Sequence, residues 1–270
     1  MRVGVFGAGG RMGSTVCRAV ADDPELELVA AVDPRLAGID IYQVAGVQDS
    51  DVQVEGDAEA LLRAEAQVAV DFTEVGAARE NIRWCAANGV HAVVGTTGFT
   101  RDDVIELDRE FSGKSNCVLS ANFAIGAALM TRFAELAAPY VDTAEIVELH
   151  HDAKLDAPSG TSLRIAEGMS KSREASEAGG WGADPTKTEV VSGSRGAVGP
   201  GGIRMHSVRL RGLVAHHEVI FGAAGQSLTI RHDSYDRTSF MPGVLLAVKS
   251  VAERPGLTLG LDALLGLGGG

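Results

Sequence analysis

Short apolar runs alternate with amphipathic helical stretches through residues 1–120, and this alternation constrains the fold more than any other feature of the chain. The strand-like runs are RVGVF (2–6), LELVAAVD (26–33), QVAVDF (67–72), HAVVG (91–95) and NCVLS (116–120). Helical patterns separate them at RMGSTVCRAVA (11–21), AEALLRA (58–64), GAARENIRWCAANG (76–89) and RDDVIELDREF (101–111). Apolar strands divided by helices predict a parallel sheet covered on both faces. Asn88-Gly89 and Gly113 fall at helix ends, where a left-handed residue is wanted.

The first strand runs straight into GAGGRMG, Gly7 to Gly13. Its glycines step as Gly7, Gly10 and Gly13, whereas a strict G-x-G-x-x-G from Gly7 would place the third glycine at Met12. In a βα turn the first glycine permits the tight exit from the strand, the next admits a pyrophosphate, and the last lets the helix pack on the strand. Taken alone, such a loop is also compatible with a turn whose glycines serve packing only. The second strand ends at Asp33, 20 residues beyond Gly13, where an acid accepts hydrogen bonds from an adenosine ribose. Strand, turn, helix, second strand and terminal acid together predict a dinucleotide site on a Rossmann-type, doubly wound α/β domain. Asp33 would repel a 2′-phosphate, which favours NADH. Arg35 and Arg11 would each offset that charge, so NADPH is expected to be accepted as well.

After Ser120 the pattern changes. A helix is expected over 124–138, a strand over 144–151, an S-G-T turn, and a further helix near 161–171. Residues 174–203 are rich in Gly, Ser and Pro and read as a long mobile loop. Strand-like runs at 203–210, 215–222 and 226–232 predict a smaller α+β domain with an open, mixed sheet. The helix over 240–253 is apolar on one side and is expected to pack back on the first domain, while LGLGGG at the end reads as a frayed tail. The expected division is 1–122 with 233–270, and 123–232; no internal repeat is visible.

With 270 residues, 45% of them apolar, the chain is long enough for two packed domains. A net charge of −12 argues against a duplex-DNA binder. The three cysteines, Cys17, Cys85 and Cys117, are far apart and read as reduced buried thiols, with no metal site expected. No basic-then-apolar leader opens the sequence, and charges interrupt every apolar run before membrane-spanning length. A soluble cytoplasmic protein with neither nucleic-acid nor membrane partners is the expectation.

The stretch richest in chemistry is ELHHDAKLDAPSGTS, Glu148 to Ser162. His150 and His151 close a strand and point to opposite faces unless the strand ends there. Lys154 follows, and Ser159-Gly160-Thr161 opens a helix whose unpaired N–H groups and hydroxyls make a ready carboxylate site. Histidine supplies a proton donor near neutral pH, and a neighbouring lysine holds an anion or relays a proton. The combination suits an anionic substrate protonated as it receives hydride. His216-His217 repeats the doublet without the lysine or the S-G-T turn, and reads as structural.

Six stretches in this order, GAGGRMG, VDFT (70–73), GTTGF (95–99), ANFAIG (121–126), ELHHDAKLDAPSGT (148–161) and HDSYDRTSFMPG (232–243), make the chain resemble the 4-hydroxy-tetrahydrodipicolinate (dihydrodipicolinate) reductases over essentially its whole length. The resemblance implies His150 as proton donor, Lys154 as its aid in protonation and substrate binding, and His151 as a substrate contact. It places a substrate carboxylate on Gly160 and Thr161, beside Ser159. On the cofactor side it implies Gly7, Ala8, Gly9, Gly10, Arg11 and Met12 in the glycine loop, and Asp33. It adds Gly95, Thr96 and Thr97, then Ser120, Ala121, Asn122 and Phe123. Many such enzymes carry an arginine directly after the ribose acid; Pro34 stands there, which weakens the case for strong NADPH preference. A homotetramer formed through the sheet of the second domain rests on the resemblance alone.

The expected reaction is hydride transfer from a reduced nicotinamide to a cyclic imine dicarboxylate, with closure of the 174–203 loop and of the two domains excluding water. Two rivals stand beside it. Another nicotinamide-dependent reductase, such as an amino-acid dehydrogenase, leaves the H-H-x-x-K and S-G-T spacing unexplained. A non-catalytic NAD(H)-sensing regulator would need a helix-turn-helix or a basic surface, and the sequence supplies neither.

Overall fold

The computed structural model describes residues 1–267. Two compact units emerge: Met1–Ile125 with the chain from Arg237 onward, and Gly126–Asp236. Phe123 therefore lies in the first unit, and the second boundary falls after Asp236 because the last strand before it continues to Ser234.

In the first unit the elements are β1 (Arg2–Phe6), α1 (Arg11–Asp22), β2 (Glu27–Val32), α2 (Ile41–Ala45), β3 (Val54–Glu55), α3 (Glu59–Arg63), β4 (Val68–Asp71), α4 (Val75–Asn88), β5 (His91–Val94), α5 (Arg101–Phe111) and β6 (Asn116–Leu119). Their seven-stranded sheet runs β12-β6-β5-β4-β1-β2-β3, every pair parallel, where β12 (Gly256–Leu259) extends the far edge. The strand order reverses between β1 and β4, and doubly wound sheets bind ligands in the crevice beyond the strand ends at such a point. Alternate strand residues serve the two faces. Phe6, Ala69, Val94 and Cys117 join Leu61, Ile82 and Phe111 of α3, α4 and α5 in one core layer. Helix α8 (Met241–Ser250), expected from sequence, packs beside α1 within this unit. Gly89 and Gly113 take left-handed φ values of 72° and 74° at the expected helix ends.

The second unit holds α6 (Ile125–Ala137, beginning at the boundary), β7 (Thr143–His150), α7 (Gly160–Ala175), β8 (Ala197–Val198), β9 (Arg204–Arg209), β10 (Ala215–Ala223) and β11 (Gln226–Ser234). Its five-stranded sheet runs β11-β10-β7-β9-β8, with only β7 and β9 parallel. Along β7 buried residues alternate with one exposed and three half-buried ones, the alternation a half-covered strand requires. Ile146, with Met205, Val219 and Phe221 of neighbouring strands, packs under Met130 and Ala134 of α6 and Ile165 and Met169 of α7.

Two expectations need correction. The segment read as one long loop from 174 is shorter: α7 runs to Ala175, and β8 and a 3₁₀ turn at Pro200–Gly202 precede β9. Its irregular part is also tied down, by Asp184 to Arg195 and Arg204 and by Arg195 to Glu145. In the tail, Leu265 and Leu267 donate backbone hydrogen bonds to Leu261 and Asp262, which is ordered turn rather than fraying. The remaining residues of LGLGGG, 268–270, lie outside the described residues.

Candidate active site

The first unit builds a turn for an anion at the end of β1. Gly7 takes a φ of 65° and its carbonyl accepts from Gly10 N at 2.9 Å, closing the turn. A Cβ on Gly13 would stand 2.0 Å from the Gly7 carbonyl oxygen, so the late third glycine is the one that lets α1 start against the strand end. Helix α1 has no side-chain cap and no acid in its first turn. The amides of Arg11, Met12 and Gly13 have no backbone or side-chain acceptor among the described residues. Such an end favours a phosphate. The cradle therefore fits a pyrophosphate, with Ala8 buried beneath it and Gly9 and Arg11 exposed.

Asp33 follows β2 and reaches the same loop: its carboxylate accepts from Gly9 N at 3.0 Å and from Arg35 N at 3.1 Å. The acid and the glycine loop expected to share a ligand are thus in direct contact. The side chains of Arg11 and Arg35 are exposed on either side of it in sequence.

The strand ends β4, β5 and β6 bring the remaining cofactor candidates. Buried Asp71 ends β4 and accepts from Thr73 N, Thr73 Oγ1 and Asn81 Nδ2, each at 2.7 Å. Burial pushes its carboxyl above the usual range, against those three donors. Gly95 follows β5. Thr96 turns inward and gives its hydroxyl to the Thr73 carbonyl at 2.7 Å, while Thr97 stays exposed. After β6, Ser120 is buried with its hydroxyl on the Asn122 carbonyl at 2.8 Å, and Asn122 Oδ1 accepts from Ala124 N. Phe123 is buried against Phe72, ring centroids 5.7 Å apart. Ala121 alone of these four is exposed, so the Ser120–Phe123 segment offers a ligand its backbone rather than its side chains.

In the second unit, β7 delivers His150 to its buried face while His151 emerges exposed, as the strand alternation requires. Glu148, two residues earlier on that face, hydrogen-bonds His150 Nδ1. Arg209 of β9 grips the same carboxylate with both ends, Nη1 to Oε2 at 2.9 Å and Nη2 to Oε1 at 2.8 Å. Burial favours the neutral acid, but the hydrogen bonds from His150, Arg209 and Ser207 outweigh it and bring Glu148 down to about 2. The carboxylate is therefore ionised at neutral pH.

On the other side of β7, His217 of β10 stands opposite Glu148 in register. Its ring meets that of His150 edge-on at 5.2 Å, and its Nε2 is 2.9 Å from Ser159 Oγ. Burial first, and then the neighbouring His150, lower His217 to about 4, so it is neutral near pH 7. Ser159 caps α7, accepting from Ser162 N at 3.2 Å, and is itself buried. The amides of Gly160 and Thr161 at this helix start have no acceptor among the described residues. Lys154, on the loop between, pairs with Asp156 at 2.8 and 2.9 Å. That pairing lowers Asp156 below the usual carboxylate range.

Two family models divide the chain between them: "Dihydrodipicolinate reductase, N-terminus" matches residues 1–123 and "Dihydrodipicolinate reductase, C-terminus" residues 126–265. The chain belongs to the dihydrodipicolinate reductase family. Among its relatives, the 4-hydroxy-tetrahydrodipicolinate reductase of Cutibacterium acnes is 47% identical over 270 residues, covering 99% of each chain. That of Corynebacterium urealyticum is 44% identical over 269 residues, again covering 99% of each. A solved dihydrodipicolinate reductase from Paenisporosarcina sp. TG-14, with dipicolinate bound, superposes with a TM-score of 0.82 at 38% identity, covering 97% of this chain and 98% of its own. A myo-inositol dehydrogenase from Corynebacterium glutamicum, 16% identical with a TM-score of 0.61, shares the fold alone. Membership of the dihydrodipicolinate reductase family makes the chain an oxidoreductase that uses a pyridine nucleotide.

Sequence reasoning missed three residues that the structure gathers around His150: Glu148, Arg209 and His217. Glu148 had a visible signal, since E-x-H on a strand puts both side chains on one face. Arg209 and His217 depend on which strands flank β7, and nothing local in their own segments encodes that. His217 was read as structural together with His216, yet the two diverge: His216 Nδ1 meets Asp233 on the opposite face at 2.7 Å. Pointing apart, the pair cannot share a metal ion.

Proposed function

We propose that the protein reduces 4-hydroxy-tetrahydrodipicolinate to tetrahydrodipicolinate with loss of water, a step of lysine and diaminopimelate biosynthesis. The observation that carries this reading is the end of β7. There an ionised glutamate holds His150 by Nδ1, and His217 links that ring to a helix start with free amides. The Gly160 and Thr161 amides, fixed by the Ser159 cap, take one substrate carboxylate. Lys154 exchanges Asp156 for a second anionic group; an exposed ion pair is worth at most about 1 kcal/mol, so the exchange costs little. His151, exposed beside them, contacts the substrate, and His150 Nε2 delivers the proton.

A bound reduced nicotinamide nucleotide supplies the hydride. Residues Gly7 to Met12 hold its pyrophosphate, Asp33 accepts from its ribose, and Gly95, Thr97 and the Ser120–Phe123 backbone border its nicotinamide end. Thr96 supports that border from inside through Thr73. NADH is favoured because the Asp33 carboxylate would face a 2′-phosphate; Arg11 and Arg35 admit NADPH as the poorer cofactor. The first unit serves as the dinucleotide-binding domain and the second as the substrate domain. A homotetramer is supported by the second sheet: both helices of that unit cover one face, leaving Val147, Leu149 and Ile220 on the other. A cytoplasmic location accompanies this reading, since nicotinamide nucleotides are kept there.

The test supplies NADH together with substrate made from pyruvate and aspartate semialdehyde by the corresponding synthase, and follows loss of the reduced-nicotinamide absorbance. Protein-dependent oxidation is expected, faster with NADH than with NADPH. Absence of any oxidation sinks the assignment. Full activity in His150→Ala would remove the proton-donor role while leaving the reductase intact.

A further inference from the structure

We infer that Glu148, anchored by Arg209, is the positioning residue for His150, holding its ring as the Nδ1–H form with Nε2 left for the substrate. The inference rests on the reading of His150 as proton donor. A carboxylate without a proton can only accept, so the hydrogen shared by Glu148 and His150 belongs to Nδ1. His150 Nε2 makes no hydrogen bond among the described residues and is the nitrogen free to act. Once Nε2 has passed its proton to the substrate, the ring that remains is the Nδ1–H form Glu148 already holds. The proton given up is later restored from solvent, and the carboxylate stays ionised throughout.

Among the described residues, Glu148 is the group placed to do this. From β9, Arg209 stands opposite His150 in register and turns back to Glu148, fixing both carboxylate oxygens. Its Nη2 also donates to the Asp156 carbonyl at 2.6 Å, tying the pair to the loop that carries Lys154 and Asp156. From β10, His217 faces the edge of the His150 ring, and its nitrogen is committed to Ser159. His232 of β11 lies one strand further, opposite His217. Lys154 is held by Asp156. None of these offers Nδ1 an acceptor, so without Glu148 the ring is free to turn over and exchange its nitrogens. The conservative change Glu148→Gln should therefore act on turnover rather than on substrate affinity, because the amides of Gly160 and Thr161 do not depend on the carboxylate and Arg209 still reaches the Asp156 carbonyl.

The test pairs imidazole ¹⁵N correlation spectra with steady-state kinetics on the full chain, His150 being assigned by loss of its peaks in His150→Gln. The wild type should show the Nδ1–H pattern for neutral His150, and Glu148→Ala should lose it. Glu148→Gln should lower kcat about 100-fold while KM for the imine stays within about threefold. Because Glu148→Gln strands the Arg209 charge, the double variant Glu148→Gln/Arg209→Gln serves as a neutral pair and should fold and show the same kcat loss. An unchanged Nδ1–H pattern in Glu148→Ala, or wild-type kcat in the folded double variant, overturns the inference. If the wild type itself fails to turn over the imine, the reductase reading falls, while the spectra still decide what Glu148 does to the ring.

Discussion

A Cβ on Gly13 would meet only main chain, 2.0 Å from the Gly7 oxygen and 3.0 Å from the Ala8 Cα, so no rotamer change can relieve it. Gly13→Ala should therefore lower stability by about 1–3 kcal/mol and open the Gly7–Gly10 turn. Calorimetric titration should show NADH binding weakened at least about tenfold, with the unfolding midpoint lowered; wild-type affinity would mean the loop does not hold the nucleotide. At this scale the sequence was informative wherever a residue's role depends on its immediate neighbours. The glycine spacing, Asp33 after β2 and the Ser159 cap belong to that class. It was silent where a role depends on a distant strand: His217 entered the site and His216 did not because β10 pairs with β7 in one register, Glu148 opposite His217. Thr96 and Thr97 divide inward and outward for a similar reason, since the inward one is fixed by the Thr73 carbonyl in the turn after β4.

Helix α7 runs longer than its apolar pattern implied because Arg173 in its last turn works as an anchor rather than as solvated charge. Its guanidinium donates to the carbonyls of Gly179, Ala138, Val141, Ala178 and Gly180 at 2.6–3.1 Å, with the Trp181 ring 4.2 Å from Cζ. A cation at a helix end suits the exposed carbonyls there, and here it gathers the ends of α6 and α7 and the 178–181 turn at once. Arg173→Met leaves the buried Ala138 carbonyl without its donor and strips the half-buried Val141 and Ala178 carbonyls of theirs, and should cost about 3 kcal/mol. The check is urea unfolding followed through Trp181 in a Trp84→Phe background, so that the signal comes from the second unit alone. A midpoint unchanged from the parent would refute the anchor. Short elements were the ones sequence patterns failed to show. α2 is five residues held by an Asp40 cap, and β3 is a two-residue edge; β12 is half-exposed, with no alternation to mark it. Such pieces are created by the sheet they complete, whereas β1, β4, β5 and β6 carry enough apolar side chains to declare themselves.

Across the two units, histidines held as neutral rings by full or partial burial make the fold sensitive to acid. His217 is lowered from 6.5 to about 4 by burial and by His150. His232, by burial chiefly, and His91, by burial, are lowered as well. His91 has a structural reason to stay neutral, since its Nδ1 accepts from Asn116 N at 2.9 Å. The sign follows from proton counting. Between the folded and unfolded values the unfolded chain binds more protons, so stability is complete above about pH 6.5 and falls as the pH drops towards 4. For His217 the slope is about 1.4 kcal/mol per pH unit, which gives about 2 kcal/mol between pH 6.5 and 5. Glu148, lowered from 4.5 to about 2, extends the loss below pH 4.5, because its ion pair with Arg209 contributes only while the carboxylate is charged. The urea midpoint reported by Trp181 in the Trp84→Phe protein should therefore fall between pH 7.5 and pH 5. In His217→Asn, which cannot take up the proton, that fall should be smaller although the protein starts less stable. Equal falls in the two proteins would show that His217 is not the group through which acid unfolds the second unit.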